Sequence, residues 1–215
     1  MKLYSYFRSS ASYRVRIALN LKGLPYEYVP VHLVRNGGEQ LSLAYRHINP
    51  DQLVPTFVED SGTPIPQSLA IVEYIEETHP EPALLPTEPA ARAYVRSLAQ
   101  QIACEIHPLN NLRVLKYLTG NLGVSEEAKS AWYRHWVEVG FDTLEARLAS
   151  DSRTGSFCYG NAPTLADICL VPQVFNAGRF SIDVSRYPTL ARINANALRL
   201  DAFAQAAPDR QPDAA

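Results

Sequence analysis

KLYSYF, residues 2–7, runs straight into RSSASYRVRIALNLKG, residues 8–23, and this join decides the fold. The first six residues are rich in the aromatic side chains that suit a pleated strand. Val15, Ala18 and Leu19 then fall at i, i+3 and i+4 and predict a helix over residues 12–22, with Gly23 as its stop. A strand that feeds a helix through a short polar turn opens an alternating α/β layer. Working outward, residues 26–33 read as a second strand, 54–59 as a short third and 63–65 as a fourth. Leu69, Val72 and Ile75 line one face of a helix over residues 68–77. The order is β-α-β-(loop, α)-β-β-α.

Beyond this layer the chain changes character. Pro80, Pro82, Pro86 and Pro89 crowd the stretch HPEPALLPTEP, which reads as an extended linker because proline lacks a donor and disfavours helix before it. The linker separates an α/β domain, residues 1–81, from a second domain, residues 88–215, that reads as all helix. Val95, Leu98, Ile102 and Ile106 repeat at helical spacing, and so do Trp132, Trp136 and Val139. Thr164 and Asp167 form a capping box that opens a helix with Leu165, Ile168 and Cys169 inward and an expected kink at Pro172. Pro188 opens the last helix. Residues 206–215, polar and interrupted by proline, are expected to form a surface tail.

Composition excludes several function classes. The 215 residues are 47% hydrophobic and 20% charged, with a formal net charge of −2, so the basic footprint of a nucleic-acid binder is absent. No uncharged run reaches the ~18 residues of a membrane span, and MKLYSYFRSS lacks the apolar core of a signal peptide. Cys104, Cys158 and Cys169 are too few and too irregular for a disulfide framework or a zinc site. His32, His47, His79, His107 and His135 show no metal-ligand spacing, so no metal is expected and a reducing cytoplasm is the natural setting.

Four short constellations carry chemistry. Arg8 to Arg16, between strand and helix, offers hydroxyls and helix-terminal N–H groups to an anion such as a thiolate. A thiol titrates near ~8.5, and lowering it by about two units takes ~2.7 kcal/mol. Read alone, Ser9 and Ser10 are more simply plain N-caps, and Arg14 and Arg16 solvated or ion-paired helix arginines. Asn49-Pro-Asp-Gln-Leu-Val54-Pro55 enters a strand through a proline suited to a turn or a cis bond; a cis bond at Pro55 would leave the Val54 N–H and C=O to pair with an extended peptide. Pro66-Gln67-Ser68 opens a helix with an amide and a hydroxyl suited to a carboxylate, or with a simple serine cap. His107, Asn111 and Arg113 include an i, i+4 pair, which reads as a polar helix face lining a cleft or facing solvent.

Taken together and in this order, these stretches resemble one family. FRSSASYRVRIALNLKG, NPDQLVPTF, QSLAIVEYIEE, LLPTEPAARA, IHPLNNLRVLKYL and TLADICLVPQVFNAGRF are similar to the zeta-class glutathione transferases, and the resemblance covers essentially the whole chain. The SSxxxRVRIAL signature is specific to the class, whereas NPxxxVP and QS are shared across glutathione transferases. The resemblance implies a thioredoxin-like N-terminal domain, an all-helical C-terminal domain, a homodimer and glutathione as a cofactor regenerated at each turnover. It implies cis–trans isomerisation of maleylacetoacetate to fumarylacetoacetate by reversible thiolate addition, in tyrosine and phenylalanine breakdown. Maleylpyruvate isomerisation, a transferase or dehalogenase acting on haloacids, and a non-catalytic glutathione-binding module are the alternatives.

Carried over by position, Ser9, Ser10, Ala11, Ser12, Tyr13 and Arg14 surround the glutathione sulfur, with Ser9 the stabilising hydroxyl and Ser10 in support. Val54, before a cis Pro55, pairs with the cysteinyl backbone; Gln67 and Ser68 take the γ-glutamyl end and Gln40 lies near the glycyl end. His107, Asn111 and Arg113 face the ligand from the helical domain. Arg8, Arg113 and Arg179 are the candidate clamps for the diacid substrate; for Arg179, a helix-terminal charge offsetting the dipole is the competing role. Family members often carry cysteine where Ala11 stands, so a mechanism needing a protein thiol there cannot operate. Arginine at the place of Arg113 occurs in relatives that isomerise maleylpyruvate. Cys104, Cys158 and Cys169 are read as inert core residues.

Overall fold

Leu3 and Ser5 of β1 (Lys2–Ser5) point inward and Lys2 outward, the alternation of a strand with one buried face. The computed structural model describes residues 1–214, and contacts divide the chain into two compact units. The first comprises Met1–Leu84 together with the chain from Leu198 onward; the second is Leu85–Ala197.

In the first unit β1 pairs in parallel with β2 (Glu27–Pro30) and antiparallel with β3 (Thr56–Val58), which pairs antiparallel with β4 (Pro64–Pro66). The sheet order is β2-β1-β3-β4. Helices α1 (Ser10–Leu21), α2 (Leu43–Ile48) and α3 (Ser68–Thr78) complete the thioredoxin-like plan. The first three strands are shorter than the sequence pattern suggests, and the fourth is displaced by one residue. Pro30 ends β2 and Pro55 precedes β3, and neither can donate to a ladder. The unit contains a buried ion pair: Lys22 Nζ lies 2.6 Å from Glu76 Oε2 and 2.7 Å from the Pro82 carbonyl, while Glu76 also accepts from Leu84 N–H.

Two expectations fail at Arg16. It is neither solvated nor paired with an acidic neighbour on its helix. It is fully buried and donates to the Ala206 carbonyl (2.9 Å), Ser5 Oγ (3.2 Å), the Tyr6 carbonyl (3.4 Å) and the Phe7 carbonyl (3.0 Å). Residues 206–214 are accordingly no loose tail. Ala206, Pro208 and Gln211 are buried, and Asp213 accepts from Phe7 N–H (3.1 Å) and Tyr28 hydroxyl (2.6 Å). The polar composition of the stretch serves a buried polar network rather than solvent.

The second unit is helical: α4 (Pro89–Gln100), a π-helical segment (Gln101–Ile106), α5 (Leu112–Gly120), α6 (Glu126–Ser150), α7 (Leu165–Arg179) and α8 (Pro188–Leu198), which ends at the unit boundary. A short α9 (Asp201–Ala204) then follows in the first unit, so the helix opened by Pro188 is not the last. The Trp132, Trp136 and Val139 face of α6 is not its core face: Val139 is exposed, and Tyr133, Val137, Gly140, Phe141, Leu144 and Leu148 are the buried stripe. Trp132 donates its indole N–H to the Leu109 carbonyl instead of filling the core. Asp167 of the capping box is fully buried and accepts from Thr164 N–H, Thr164 hydroxyl and Cys158 N–H; burial still pushes its carboxyl above the usual range. Helix α7 runs on through Pro172. Cys158 and Cys169 are core residues, but Cys104 is exposed, because Ile102 and Ile106 take the inward face of its segment. No helix of the described residues is long and apolar enough to cross a membrane.

Candidate active site

The register brings three chain segments to one end of the sheet. Thr56 pairs with both Tyr4 and Pro66, so the C-terminal ends of β1 and β4 and the N-terminal end of β3 coincide there. Helix α1 begins just beyond β1 and α3 just beyond β4. Two helix N-termini, each with unpaired N–H groups and partial positive charge, therefore start at this end, and neither has an acidic residue in its first turn.

Ser9 is the N-cap of α1. Its Oγ accepts from Ser12 N–H (3.2 Å), while its own N–H donates to the Tyr6 carbonyl (2.9 Å). The capping and anion-binding roles are thus compatible. The cap fixes the oxygen with one lone pair, and no group among the described residues accepts its hydroxyl hydrogen. Helix α1 starts two residues earlier than the apolar spacing suggests because this cap extends it. Ser10 is buried and Ala11 half-buried; the Ser12 hydroxyl is fully buried with no partner among the described residues. Tyr13 turns elsewhere: its hydroxyl donates to the Phe203 carbonyl (3.3 Å), and burial pushes it up to about 12. Arg14, 2% exposed rather than solvated, donates from Nη1 to Ser68 Oγ (3.2 Å) and so ties the two helix starts together.

The Val54–Pro55 bond is cis. Among the described residues the Val54 N–H and C=O make no hydrogen bond, while the loop on either side is held tightly. Asn49 Nδ2 and Tyr45 hydroxyl both donate to the Leu53 carbonyl (3.0 and 2.6 Å), and both meet Thr56 Oγ1 (3.0 and 2.9 Å). Sequence reasoning missed Tyr45; the signal was its place one helical turn before Asn49, whose N–H it caps. The N-cap of α3 is Gln67 and not Ser68. Gln67 sits at φ +70, a conformation costly for a side-chain-bearing residue, ahead of the exposed helix start. Gln40 lies across Gly38, whose φ is +120: a Cβ there would fall 2.6 Å from Gln40 Nε2. Arg8 is exposed, and its Nε and Nη2 reach the Tyr6 hydroxyl at 3.2 and 2.9 Å.

In the helical unit, His107, Asn111 and Arg113 do not share a helix face. His107 ends the π-helical segment, Pro108–Asn110 forms a 3-10 turn, and Asn111 caps α5 in an extended conformation, accepting from Arg113 N–H (3.1 Å). Pro108 and the cap break the register on which i, i+4 spacing depends. His107 and Asn111 are half-buried and Arg113 is exposed. Arg179 ends α7, exposed, and donates to Asn176 Oδ1 (3.2 Å).

The model of the glutathione S-transferase N-terminal domain matches residues 3–83. A probable maleylacetoacetate isomerase of Vibrio cholerae is 54% identical, over 99% of this chain and 97% of its own. The holo structure of a maleylpyruvate isomerase, described as a zeta-class bacterial glutathione transferase, superposes with a TM-score of 0.96 at 48% identity over all of both chains. A maleylacetoacetate isomerase from Methylobacterium extorquens, solved with malonate and glutathione bound, gives 0.96 at 46% identity, again over both whole chains. The chain belongs to the zeta class of the glutathione transferases, with the maleylacetoacetate and maleylpyruvate isomerases.

Proposed function

We propose that the protein is a glutathione-dependent isomerase that converts maleylacetoacetate to fumarylacetoacetate. The observation that carries this is Ser9: a capping hydroxyl, fixed at a helix N-terminus with no acidic neighbour in the first turn, whose hydrogen has no acceptor among the described residues. The residues fit glutathione on three counts. The Val54 N–H and C=O suit an extended peptide backbone. The start of α3, with Gln67 held at positive φ and Ser68 tied to Arg14, suits an α-amino acid end. The Ser12 hydroxyl and the Gln40 Oε1, both buried with no hydrogen-bond partner among the described residues, mark polar capacity left for a ligand.

Bound glutathione supplies a thiolate whose reversible addition turns a fixed double bond into a rotatable single bond. Ser9, supported by Ser10, Ala11 and Ser12, donates a hydrogen bond that holds the sulfur ionised alongside the α1 N-terminus. Val54 and Pro55, Gln67, Ser68, Arg14 and Gln40 bind and orient the tripeptide; Tyr13, bonded to Phe203, supports the loop from behind. On the helical unit His107, Asn111 and Arg113 are assigned to glutathione. Arg8, Arg113 and Arg179 are assigned to the diacid, since guanidinium groups pair carboxylates bidentately and stabilise negative charge that develops on the substrate. The three free cysteines support a cytoplasmic enzyme, and the family supports a place in tyrosine and phenylalanine catabolism. The family supports a homodimer.

Maleylpyruvate is the second reading, favoured by the exposed guanidinium of Arg113 and by the likeness to a maleylpyruvate isomerase. Turnover of each substrate with and without glutathione decides between them. Ser9→Ala is expected to cut isomerisation by about 100-fold or more with little change in glutathione affinity, the scale of losing a donor aimed at a developing or stored negative charge. Full rates without glutathione, or unchanged turnover in Ser9→Ala, would refute the mechanism.

A further inference from the structure

Arg8 is exposed, and no carboxylate among the described residues pairs with it, yet its guanidinium is not loose. Nε and Nη2 lie on one edge of the fork, and both donate to a single oxygen, the Tyr6 hydroxyl, at 3.2 and 2.9 Å. The Phe7 ring lies 5.1 Å from the guanidinium carbon. Tyr6 cannot follow a moving arginine: it is 3% exposed, belongs to the core cluster with Val31, Tyr45 and Val54, and stands edge-on to Phe7 (4.8 Å) and His32 (4.9 Å). Of the five N–H groups of a guanidinium, the side-on pair is thus occupied. The end-on pair, one hydrogen from each Nη, remains, and that edge matches the two oxygens of a carboxylate.

We propose that Tyr6 is a positioning residue for the substrate: its phenol clamps Arg8 side-on, so that the arginine presents its end-on edge to a substrate carboxylate already ordered. This rests on the assignment of Arg8 to the diacid made above. A free arginine side chain loses rotamer freedom when it binds, and a tether removes that loss in advance.

The test compares wild type, Tyr6→Phe, Arg8→Ala and the double variant. Phenylalanine keeps the ring contacts and deletes only the hydroxyl. Tyr6→Phe is expected to raise KM for the diacid about five- to thirtyfold, with kcat and KM for glutathione changed less than about twofold. Malonate, an unreactive dicarboxylate, titrated calorimetrically into each protein, is expected to weaken by a matching factor. On the Arg8→Ala background the Tyr6 substitution is expected to do nothing further. An unchanged KM and malonate affinity in Tyr6→Phe, or an equal loss on the Arg8→Ala background, overturns the clamp. If wild type turns over neither diacid, the isomerase assignment fails, and the malonate titrations still decide whether Tyr6 acts through Arg8.

Discussion

Replacing Arg16 with methionine sets two large effects against each other, and the structure says which wins. Burial of a guanidinium is costly, and here it lowers the arginine's pKa chiefly through desolvation. Methionine has a similar reach and no charge, so on desolvation alone the substitution would be neutral or stabilising. But the acceptors stay behind. The Ala206, Tyr6 and Phe7 carbonyls and the Ser5 hydroxyl would lose their donor, all but the Phe7 carbonyl at buried bonds. At about 1 kcal/mol or more for each stranded carbonyl, the loss is ~3 kcal/mol and reaches ~5 kcal/mol if the segment from Ala206 comes away. Urea unfolding followed by far-ultraviolet circular dichroism is the assay, since Trp132 and Trp136 both lie in the other unit and their fluorescence reports that unit. Hydrogen exchange read by mass spectrometry is expected to show faster exchange in peptides covering residues 2–21 and 201–214. Because Arg16 holds the Tyr6 and Phe7 carbonyls, the loop bearing Arg8 and Ser9 loosens too, and isomerase activity is expected to fall with stability. A methionine variant as stable as wild type would show that the charge, not its hydrogen bonds, dominates, and the account of this core would be wrong.

The remaining predictions concern other parts of the chain. Glu76→Gln leaves Lys22 a buried cation without a counter-charge and is expected to cost ~3–5 kcal/mol in urea unfolding, far more than an exposed pair would. Gly140→Ala would place a Cβ 2.2 Å from Ile106 Cδ1, so the Ile106 side chain must shift out of its present packing, with an expected loss of ~1–3 kcal/mol in thermal unfolding. Burial raises Tyr13 and Tyr133 to about 12 in the folded protein. A raised folded pKa contributes stability that is full below the unfolded value of ~10 and is lost as pH rises towards about 12, so the protein is expected to weaken across that window. A phenolate titration at 295 nm is expected to show a late group of tyrosines, from which Tyr13→Phe removes one.

Local patterning determined most of the first unit's plan. The strand-to-helix join at residues 2–23, the apolar faces of α1 and α3 and the proline run come from nearest-neighbour spacing, which sequence displays directly. The capping box at Thr164 and Asp167 is local in the same sense. The proposed site residues Ser9, Val54, Gln67 and Ser68 stand out as a set, although each alone has an ordinary structural reading. What the sequence could not display were pairings between residues far apart in the chain. Arg16 looks like any helix arginine until Ala206 arrives beside it, and the last residues look like a tail until Asp213 meets Phe7 and Tyr28. Arg14 finds Ser68 across 54 positions. The spacing of Trp132, Trp136 and Val139 shows that α6 is a helix but not which face it buries, and it gives no weight to the Gly140 beside which Ile106 packs. His107 and Asn111, the i, i+4 pair, lost their shared face to a proline and a cap. Spacing therefore fixed most of the elements that form, because those choices are made within a few residues. Which polar groups are buried, and which remain for a ligand, was decided only when the sheet register and the returning C-terminal segment brought distant donors and acceptors together.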